Sequence, residues 1–330
     1  MPKELINAGI AGVGAYVPNN VVTNEDLENI VDTSNEWIVS RSGIRERRIA
    51  PPEMASSDFA VIAAGEAIAD AGISAGDIDL VIVATNTPDM FFPATACLVQ
   101  DRIGAKKAGA FDLAAGCSGF MYALVVGSQF VSTGSYRNVL VIGSENLSKV
   151  VNWKDRKTCV LFGDGAGAAV IRPAAPGSGI LSHKLHADGS GGKFLNLPAG
   201  GSRLPASHET VDNNLHYIQM KGRDIFKFAV RATARAATEV LGAAGVEISD
   251  VDYFIPHQAN SRIIEAAAKR LKLPAEKVLI NVDRYGNTST ASIPIALTEA
   301  VRAGRIKKGD HILMVGFGAG LTWAAAVLKW

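Results

Sequence analysis

The sequence predicts an α/β protein made of two similar halves in a layered α/β/α/β/α arrangement. Helix-like and strand-like segments alternate along the chain, which is typical of sheets with helices packed on them. Three apolar patterns of the first half recur in the second half, and a Gly- and Pro-rich stretch separates the halves. A length of 330 residues is sufficient for two such units.

The first half shows the helix-then-strand order most clearly. Residues 58–72 place apolar side chains at helical spacing and end on Gly72, so they predict a helix with a glycine cap. The short apolar run Leu80–Ala84 predicts a strand that is buried on both faces. Residues 224–245 and 250–255 repeat this order in the second half. We therefore expect mostly parallel sheets.

An internal repeat supports the duplication. Residues 71–82 match residues 244–255, residues 138–143 match residues 311–316, and residues 122–124 match residues 295–297, all at one shift of 173 residues. We expect an N-terminal half over residues 1–175 and a C-terminal half over residues 176–330. The loop connection spans about 176–215, and its part 186–205 is richest in Gly and Pro. Long loops of this kind often border a site.

Composition excludes several classes of protein. A net charge of +1 argues against a nucleic-acid partner. Three cysteines without a repeated spacing predict neither a disulfide framework nor a metal site, and favour a reducing cytoplasm. The N-terminus lacks the pattern of a signal or transit peptide. Residues 113–136 carry no charge, but Gly and polar residues interrupt them, so they predict a buried helix rather than a membrane span.

Cys117 is the first candidate for chemistry. It lies where an apolar strand end gives way to small residues and then to a helical stretch, in the window FDLAAGCSGF. Backbone N–H groups at a helix N-terminus favour thiolate, so we expect a Cys117 pKa below the usual value. The alternative is a buried structural cysteine. Cys97 and Cys159 are interpreted as core residues.

His257 and Asn287 are the next candidates. His257 follows an apolar strand that ends on a proline, and sites in α/β sheets lie at such carboxyl ends. Asn287 lies in a polar turn before another helix, and helix capping is its alternative role. The glycine-rich turn at residues 314–322 offers backbone N–H groups for half of an oxyanion hole, with the N–H of Cys117 as the other half. A plain tight turn is the alternative there.

Six ordered windows resemble one known family along essentially the whole chain. They are residues 32–38 with Arg41, residues 43–47, the window around Cys117, residues 162–167, residues 256–260 and residues 286–289. Together they are similar to the thiolase superfamily, and within it to β-ketoacyl-acyl-carrier-protein synthase III. The resemblance implies a duplicated thiolase-like five-layered α/β/α/β/α fold and a homodimer.

The resemblance also implies a reaction that needs no cofactor. Cys117 accepts an acyl group from acyl-coenzyme A, acetyl-CoA or another short primer, and coenzyme A leaves. Malonyl-acyl carrier protein then loses CO₂, and the resulting enolate attacks the Cys117 thioester, which initiates fatty acid synthesis. His257 and Asn287 stabilise the enolate. The backbone N–H groups of Cys117 and Ala319 stabilise the tetrahedral oxyanion, and Phe317 packs near the site.

Binding residues are implied in the same way. Trp37 and Arg156 match positions that sandwich the adenine of coenzyme A. The other matches to the substrate and coenzyme A site are Thr33, Arg41, Asn260, Phe226 and Phe92, the last reaching across the dimer to bound the acyl pocket. In the family, a basic patch meets the acidic carrier protein, and the matching residues here are Lys227, Arg262, Lys269 and Arg270. Its alternative is a solvated helix face.

Two positions depart from the family pattern, and three other readings stay open. Arg223 stands where some members have Asn, and Ala319 where Gly is common. A related Cys-His-Asn condensing enzyme of polyketide or quinolone pathways is the nearest alternative. A papain-like cysteine hydrolase has the same residue order, but its Cys-Gly-Ser-Cys-Trp signature is missing. The intact triad argues against a non-catalytic carrier-protein binder.

Overall fold

The computed structural model describes residues 5–330 of the chain. Its strands are β1 (Ala8–Tyr16), β2 (Val21–Thr23), β3 (Glu46–Arg48), β4 (Leu80–Ala84), β5 (Gly109–Leu113), β6 (Val139–Glu145), β7 (Gly165–Pro173), β8 (Gly179–Ala187), β9 (Leu195–Asn196), β10 (Gln219–Met220), β11 (Tyr253–Pro256), β12 (His311–Gly318) and β13 (Thr322–Lys329). Its α-helices are α1 (Asn24–Glu28), α2 (Asn35–Ser42), α3 (Ser56–Asp70), α4 (Thr95–Arg102), α5 (Gly119–Ser132), α6 (His208–Asp212), α7 (Gly222–Ala244), α8 (Ser261–Leu271), α9 (Val282–Tyr285) and α10 (Ser292–Arg302).

Two sheets carry the fold, and their strand orders correspond. The first sheet runs β1-β7-β6-β4-β5, and the second, taken from its β8 edge, runs β8-β13-β12-β11. The repeat found in the sequence places β4 on β11, β6 on β12 and α5 on α10. The structure therefore confirms the duplication of the fold, while the boundary between residues 175 and 176 stays a prediction.

The sheets are mixed rather than mostly parallel. β4 pairs in parallel with β5 and β6, and β11 pairs in parallel with β12. The pairs β1–β7, β6–β7, β12–β13 and β13–β8 are antiparallel. The prediction of mostly parallel sheets is wrong because only a short turn joins β12 to β13, whereas a parallel crossover needs a dozen residues or more.

The helices complete the five predicted layers. α3 covers the outer face of the first sheet, and α7 covers the outer face of the second with α8 beside it. α5 and α10 lie between the two sheets, where Phe120, Leu124, Ile293 and Leu297 are buried. Side chains of this size stabilise the fold by about 1.5–3 kcal/mol each when buried. The uncharged stretch at 113–136 is thus a core element, and no helix within residues 5–330 is long and apolar enough to cross a bilayer.

The predicted connection over 176–215 is only partly irregular. β8 pairs with β13 along its length, so residues 179–187, including His183 and His186, form a strand and not a loop. β8 is an edge strand with polar residues interleaved, so it lacks the apolar run that marks a buried strand. The part 186–205 contains a 3₁₀ turn and the two-residue strand β9, as expected of an irregular segment, and α6 follows it.

Candidate active site

Segments that follow the carboxyl ends of β5, β11 and β12 meet at one cavity of about 650 Å³. A second cavity of about 200 Å³ adjoins it, and Cys117, Phe162 and Leu195 line both. Cys117, His257 and Asn287 all line the larger cavity, although they are far apart in the chain. The structure therefore brings the three predicted residues together.

Cys117 lies directly before Ser118, the residue that precedes the first turn of α5. Its predicted place near a helix N-terminus is confirmed, and the side chain is buried with 9% exposure. Burial raises the pKa of the Cys117 thiol to about 12, and the charge of Glu145 acts in the same direction. The Ser289 hydroxyl beside the thiol and the backbone N–H groups of Cys117 and Ala319 oppose this rise. The expected lowering of the pKa is therefore wrong, because loss of hydration outweighs these donors.

Two glycines allow the segments around Cys117 and Ala319 to approach each other. A Cβ atom on Gly318 would lie 2.4 Å from the backbone nitrogen of Cys117. A Cβ atom on Gly116 would lie 2.6 Å from the backbone nitrogen of Ala319, and Gly116 has a φ of +54°. Both backbone N–H groups assigned to the oxyanion hole are thus close to the Cys117 side chain. Any larger residue at 116 or 318 would force the two segments apart.

His257 follows β11 directly and is 1% exposed. Its Nδ1 atom lies 2.7 Å from Ser292 Oγ, and this hydroxyl oxygen also accepts a hydrogen bond from the backbone N–H of Gln258. The donor in this contact depends on the ring tautomer, and a proton on Nε2 requires that Ser292 donates to Nδ1. The Phe317 ring packs edge-on at 5.0 Å between ring centroids. Burial lowers the His257 pKa to about 3, so the imidazole is neutral at physiological pH.

Asn287 is held at both its backbone and its side chain. Its backbone N–H donates to the Leu161 carbonyl oxygen, and its own carbonyl oxygen accepts from Gly163 N–H. Its side-chain Oδ1 accepts a hydrogen bond of 2.8 Å from Ser289 N–H. The capping role considered from the sequence is therefore limited to this one bond of Oδ1 within the local turn. The Nδ2 hydrogens remain available to donate into the cavity.

The predicted substrate residues cluster at the mouth of the larger cavity. The residues that line it are Trp37, Arg41, Asn260 and Phe226. Arg223, which departs from the family pattern, lines it as well. The guanidinium groups of Arg156 and Arg41 lie 5.2 and 5.7 Å from the Trp37 ring centroid.

Asn260 and Thr33 are placed differently from the other predicted contacts. Asn260 caps α8 through its Oδ1 atom and donates from Nδ2 to the Arg41 carbonyl oxygen, so both ends of its amide have partners. Thr33 lines neither cavity, and its buried hydroxyl has no partner within residues 5–330.

The four basic residues assigned to the carrier protein do not form one surface. Lys227 and Arg262 line the cavity mouth, and the Arg262 guanidinium lies 5.7 Å from the Phe226 ring centroid. Lys269 is exposed two turns further along α8. Arg270 lines a separate depression beside the end of α7, and its assignment to the carrier-protein patch stays a prediction. Consecutive helical residues point about 100° apart, which turns Arg270 away from Lys269.

Phe92 lines neither cavity of its own chain. Its side chain is 85% exposed, and Phe91 beside it is 76% exposed. The interpretation of Cys97 as a core residue is wrong because Cys97 is exposed on α4, whereas Cys159 is buried as expected.

Sequence reasoning missed three polar residues beside the site. Ser292 contacts His257, Ser289 contacts Asn287, and the fully buried Glu145 accepts a hydrogen bond from Ser289. A carboxylate at the end of the otherwise uncharged strand β6 was the available signal for Glu145. Within residues 5–330, no group of three or more His, Cys, Asp and Glu side chains has a metal-binding arrangement.

Comparison with known proteins agrees with these motifs. The family model for 3-oxoacyl-[acyl-carrier-protein] synthase III matches residues 111–189, and the model for the C-terminal part of that family matches residues 241–330. The β-ketoacyl-[acyl-carrier-protein] synthase III of Caldanaerobacter subterraneus subsp. tengcongensis is 62% identical over 327 residues, which is 99% of each chain.

Solved structures give the same result. The crystal structure of β-ketoacyl-[acyl-carrier-protein] synthase III from Thermus thermophilus has a TM-score of 0.92 and 52% identity, covering 98% of this chain and 99% of its own. The priming β-ketosynthase of the R1128 polyketide pathway has a TM-score of 0.92 at 37% identity, covering 99% and 97%. The similarity of sequence, motifs and fold shows that this chain belongs to the 3-oxoacyl-[acyl-carrier-protein] synthase III family of condensing acyltransferases.

Proposed function

We propose that this chain condenses a short acyl-coenzyme A, such as acetyl-CoA, with malonyl-acyl carrier protein to give β-ketoacyl-acyl carrier protein and CO₂. The observation that carries the proposal is the position of Cys117 where the large and small cavities meet, with His257 and Asn287 beside it. A thiol in this position can hold an acyl group in the small cavity while a second thioester enters through the large one. The product initiates fatty acid synthesis.

In the first half-reaction, the Cys117 sulfur attacks the carbonyl carbon of acyl-CoA. The carbon–sulfur bond to coenzyme A breaks, and the thiol proton of Cys117 leaves with coenzyme A, so no further reactant is needed. The backbone N–H groups of Cys117 and Ala319 stabilise the oxyanion, a role for which their closeness across Gly116 and Gly318 suits them. Loss of one such donor typically costs about 10²–10³ in rate.

In the second half-reaction, the malonyl group loses CO₂ and leaves an enolate. Neutral His257 donates from Nε2 and Asn287 donates from Nδ2 to the thioester oxygen that gains charge. Because its pKa is about 3, the His257 ring is neutral at physiological pH, and a neutral imidazole N–H is a poor acid, so it stabilises the enolate without protonating it. The enolate carbon attacks the Cys117 thioester, the carbon–sulfur bond breaks, and the released Cys117 thiolate takes up a proton from water.

The mouth of the large cavity suits a nucleotide and a phosphopantetheine arm. The Trp37 ring and the Arg156 guanidinium can enclose an adenine, and Arg41 and Arg223 place positive charge where phosphates would lie. Thr33 and Asn260 are proposed contacts of this kind, and Phe226 borders the channel. Lys227 and Arg262 at the mouth, with Lys269 beyond them, offer charge for an acidic carrier protein.

We also propose a homodimer that works in the cytoplasm. β5 is an unpaired sheet edge, and the neighbouring side chains of Met90, Phe91 and Phe92 are exposed. A second copy would cover them and would bring Phe92 to the partner's acyl pocket. A reducing compartment keeps Cys117 as the free thiol that the reaction needs. Light scattering of the purified protein should give a mass near twice 34.6 kDa, and a monomer would contradict the dimer.

A polyketide-type priming synthase is the second candidate, because such an enzyme shares the fold at 37% identity. The purified protein should convert acetyl-CoA and malonyl-acyl carrier protein to acetoacetyl-acyl carrier protein, measured by the mass of the carrier protein. Cys117→Ser should give none. Condensation only with primers other than short acyl-CoA thioesters would favour the second candidate, and no condensation with any primer would contradict both.

A further inference from the structure

A fully buried carboxylate lies beneath the site and has no cationic partner. Glu145 ends β6 with 0% exposure, and no ion pair within residues 5–330 includes it. Its oxygens instead accept hydrogen bonds from Asn86 Nδ2 at 2.6 Å, Thr87 Oγ1 at 2.8 Å, Ser289 Oγ at 2.9 Å and Asn86 N–H at 3.2 Å. Burying a carboxylate without a counter-ion is costly, so this group needs a reason to be there.

The reason for burying Glu145 lies in Ser289, whose backbone is in a conformation that serine rarely adopts. Its φ of +49° lies in the left-handed region, which costs an L-residue other than glycine about 1–2 kcal/mol. Such a residue persists only where its surroundings hold it. The hydrogen bond from the Ser289 hydroxyl to Glu145 Oε1 fixes the side chain, and the Ser289 N–H is bonded to Asn287 Oδ1.

This arrangement decides which end of the Asn287 amide faces the cavity. Because Ser289 N–H occupies Oδ1, the Asn287 side chain presents its Nδ2 donors to the space that Cys117 and His257 also line. If Ser289 relaxed to an ordinary backbone conformation, Oδ1 would lose its partner and the amide could rotate. A rotated amide would place an acceptor where the enolate needs a donor.

We propose that Glu145 is a positioning residue, which acts through Ser289 to keep the Asn287 amide in the orientation that donates to the enolate. This inference rests on the proposed condensation reaction and adds a residue that touches neither substrate nor Cys117. Its effect through Asn287 belongs to the decarboxylation half-reaction, because the first half-reaction uses Cys117 and the backbone N–H groups and not Asn287.

The test measures the two half-reactions separately in Glu145→Gln. This change keeps the size of the side chain but replaces one acceptor oxygen with a donor. Acylation of Cys117 by acetyl-CoA is followed by intact-protein mass, and CO₂ release is followed with malonyl-acyl carrier protein labelled at the free carboxyl. We expect CO₂ release to slow by at least about tenfold, equivalent to about 1.4 kcal/mol, while acylation does not slow, because removing the charge of Glu145 lowers the pKa of the Cys117 thiol.

A double variant tests the route through Ser289. Ser289→Ala alone should slow CO₂ release by a similar factor, and adding Glu145→Gln should slow it little further, because the contact is already absent. Additive losses would overturn the route through Ser289. If Glu145→Gln fails to fold, Ser289→Ala carries the test, and an unchanged rate of CO₂ release in that variant would overturn the proposal.

Asp164→Asn is the matched control. Asp164 is also a fully buried carboxylate, bonded to the backbone N–H groups of Ala50 and Ser148, and it lines neither cavity. Its substitution should lower the Tm without changing the ratio of the two rates. An unchanged ratio in Glu145→Gln, with both half-reactions active in the unaltered protein, would refute the positioning role alone. Absence of both half-reactions in the unaltered protein would refute the proposed function itself.

Discussion

The Nδ1 atom of His257 lies 2.7 Å from the hydroxyl oxygen of Ser292, the first residue of α10. The histidine follows a strand of the second sheet, while the serine begins a helix that lies between the two sheets. The central layer therefore fixes the ring whose other nitrogen is proposed to face the substrate.

Ser292→Ala removes the partner of Nδ1 without changing the ring itself. A typical hydrogen bond contributes about 1 kcal/mol net, so condensation should fall by roughly five- to tenfold. Acylation of Cys117 should be nearly unchanged, because His257 serves the second half-reaction. The comparison is Thr298→Val, which removes a buried hydroxyl of the same helix that donates to the Pro294 carbonyl oxygen. Equal effects of the two substitutions on condensation would refute the role of Ser292.

The low pKa of His257 predicts how stability depends on pH. The folded pKa of about 3 lies below the ordinary histidine value of 6.5, so the unfolded chain binds the extra proton between these pH values. Stability is therefore fully present above pH 6.5 and falls as the solution is acidified towards pH 3. From pH 7 to pH 5 this one group should cost about 2 kcal/mol.

The measurement is urea unfolding of the unaltered protein and of His257→Gln at both pH values. Each protein loses free energy of unfolding between pH 7 and pH 5. Since the other titrating groups are common to both proteins, the difference between these two losses is due to His257. The unaltered protein should lose about 2 kcal/mol more than the variant. Equal losses would show that burial does not lower this pKa.

Gly318→Ala tests the contact that forms the proposed oxyanion hole. The new Cβ would lie 2.4 Å from the Cys117 nitrogen, so the backbone around one or both donors must move. Acylation should slow by roughly 10²-fold, the cost of losing one oxyanion donor. Gly242→Ala is the control, because within residues 5–330 nothing outside the adjacent backbone of α7 lies within 4 Å of its Cβ position. Normal acylation in Gly318→Ala would contradict the proposed oxyanion hole.

Charge reversal tests the proposed carrier-protein surface. Lys227→Glu and Arg262→Glu change exposed charges at the cavity mouth and should each raise the apparent KM for malonyl-acyl carrier protein. The increase should shrink in high salt, because exposed charges are screened. Lys308→Glu changes an exposed charge just before β12, at the end of that strand opposite the site, and should leave this KM unchanged. If all three variants behave alike, the carrier protein does not dock at this surface.

Local patterns in the sequence predicted the elements that hold the site. The strand end and helix start around Cys117 and the proline that ends β11 are short-range signals, and the structure places Cys117 and His257 where those signals indicate. The duplication was visible because equivalent strands are buried in the same way in both halves.

Long-range packing explains what the sequence did not predict. The raised pKa of Cys117 depends on burial by segments distant in the chain, which no local window around residue 117 contains. Glu145 and Ser289 are 144 residues apart, so their contact leaves no periodic signal. The strand β8 was missed for a related reason, since an edge strand can keep polar side chains that resemble those of a loop.

The central claim is that Cys117 carries the acyl group. The direct measurement is intact-protein mass spectrometry after mixing with acyl-CoA thioesters, followed by peptide mapping of the modified residue. The account predicts a gain of one acyl group with acetyl-CoA, localised to Cys117 and absent in Cys117→Ser. An acyl group on another residue, or no adduct with any thioester in the series, would contradict it.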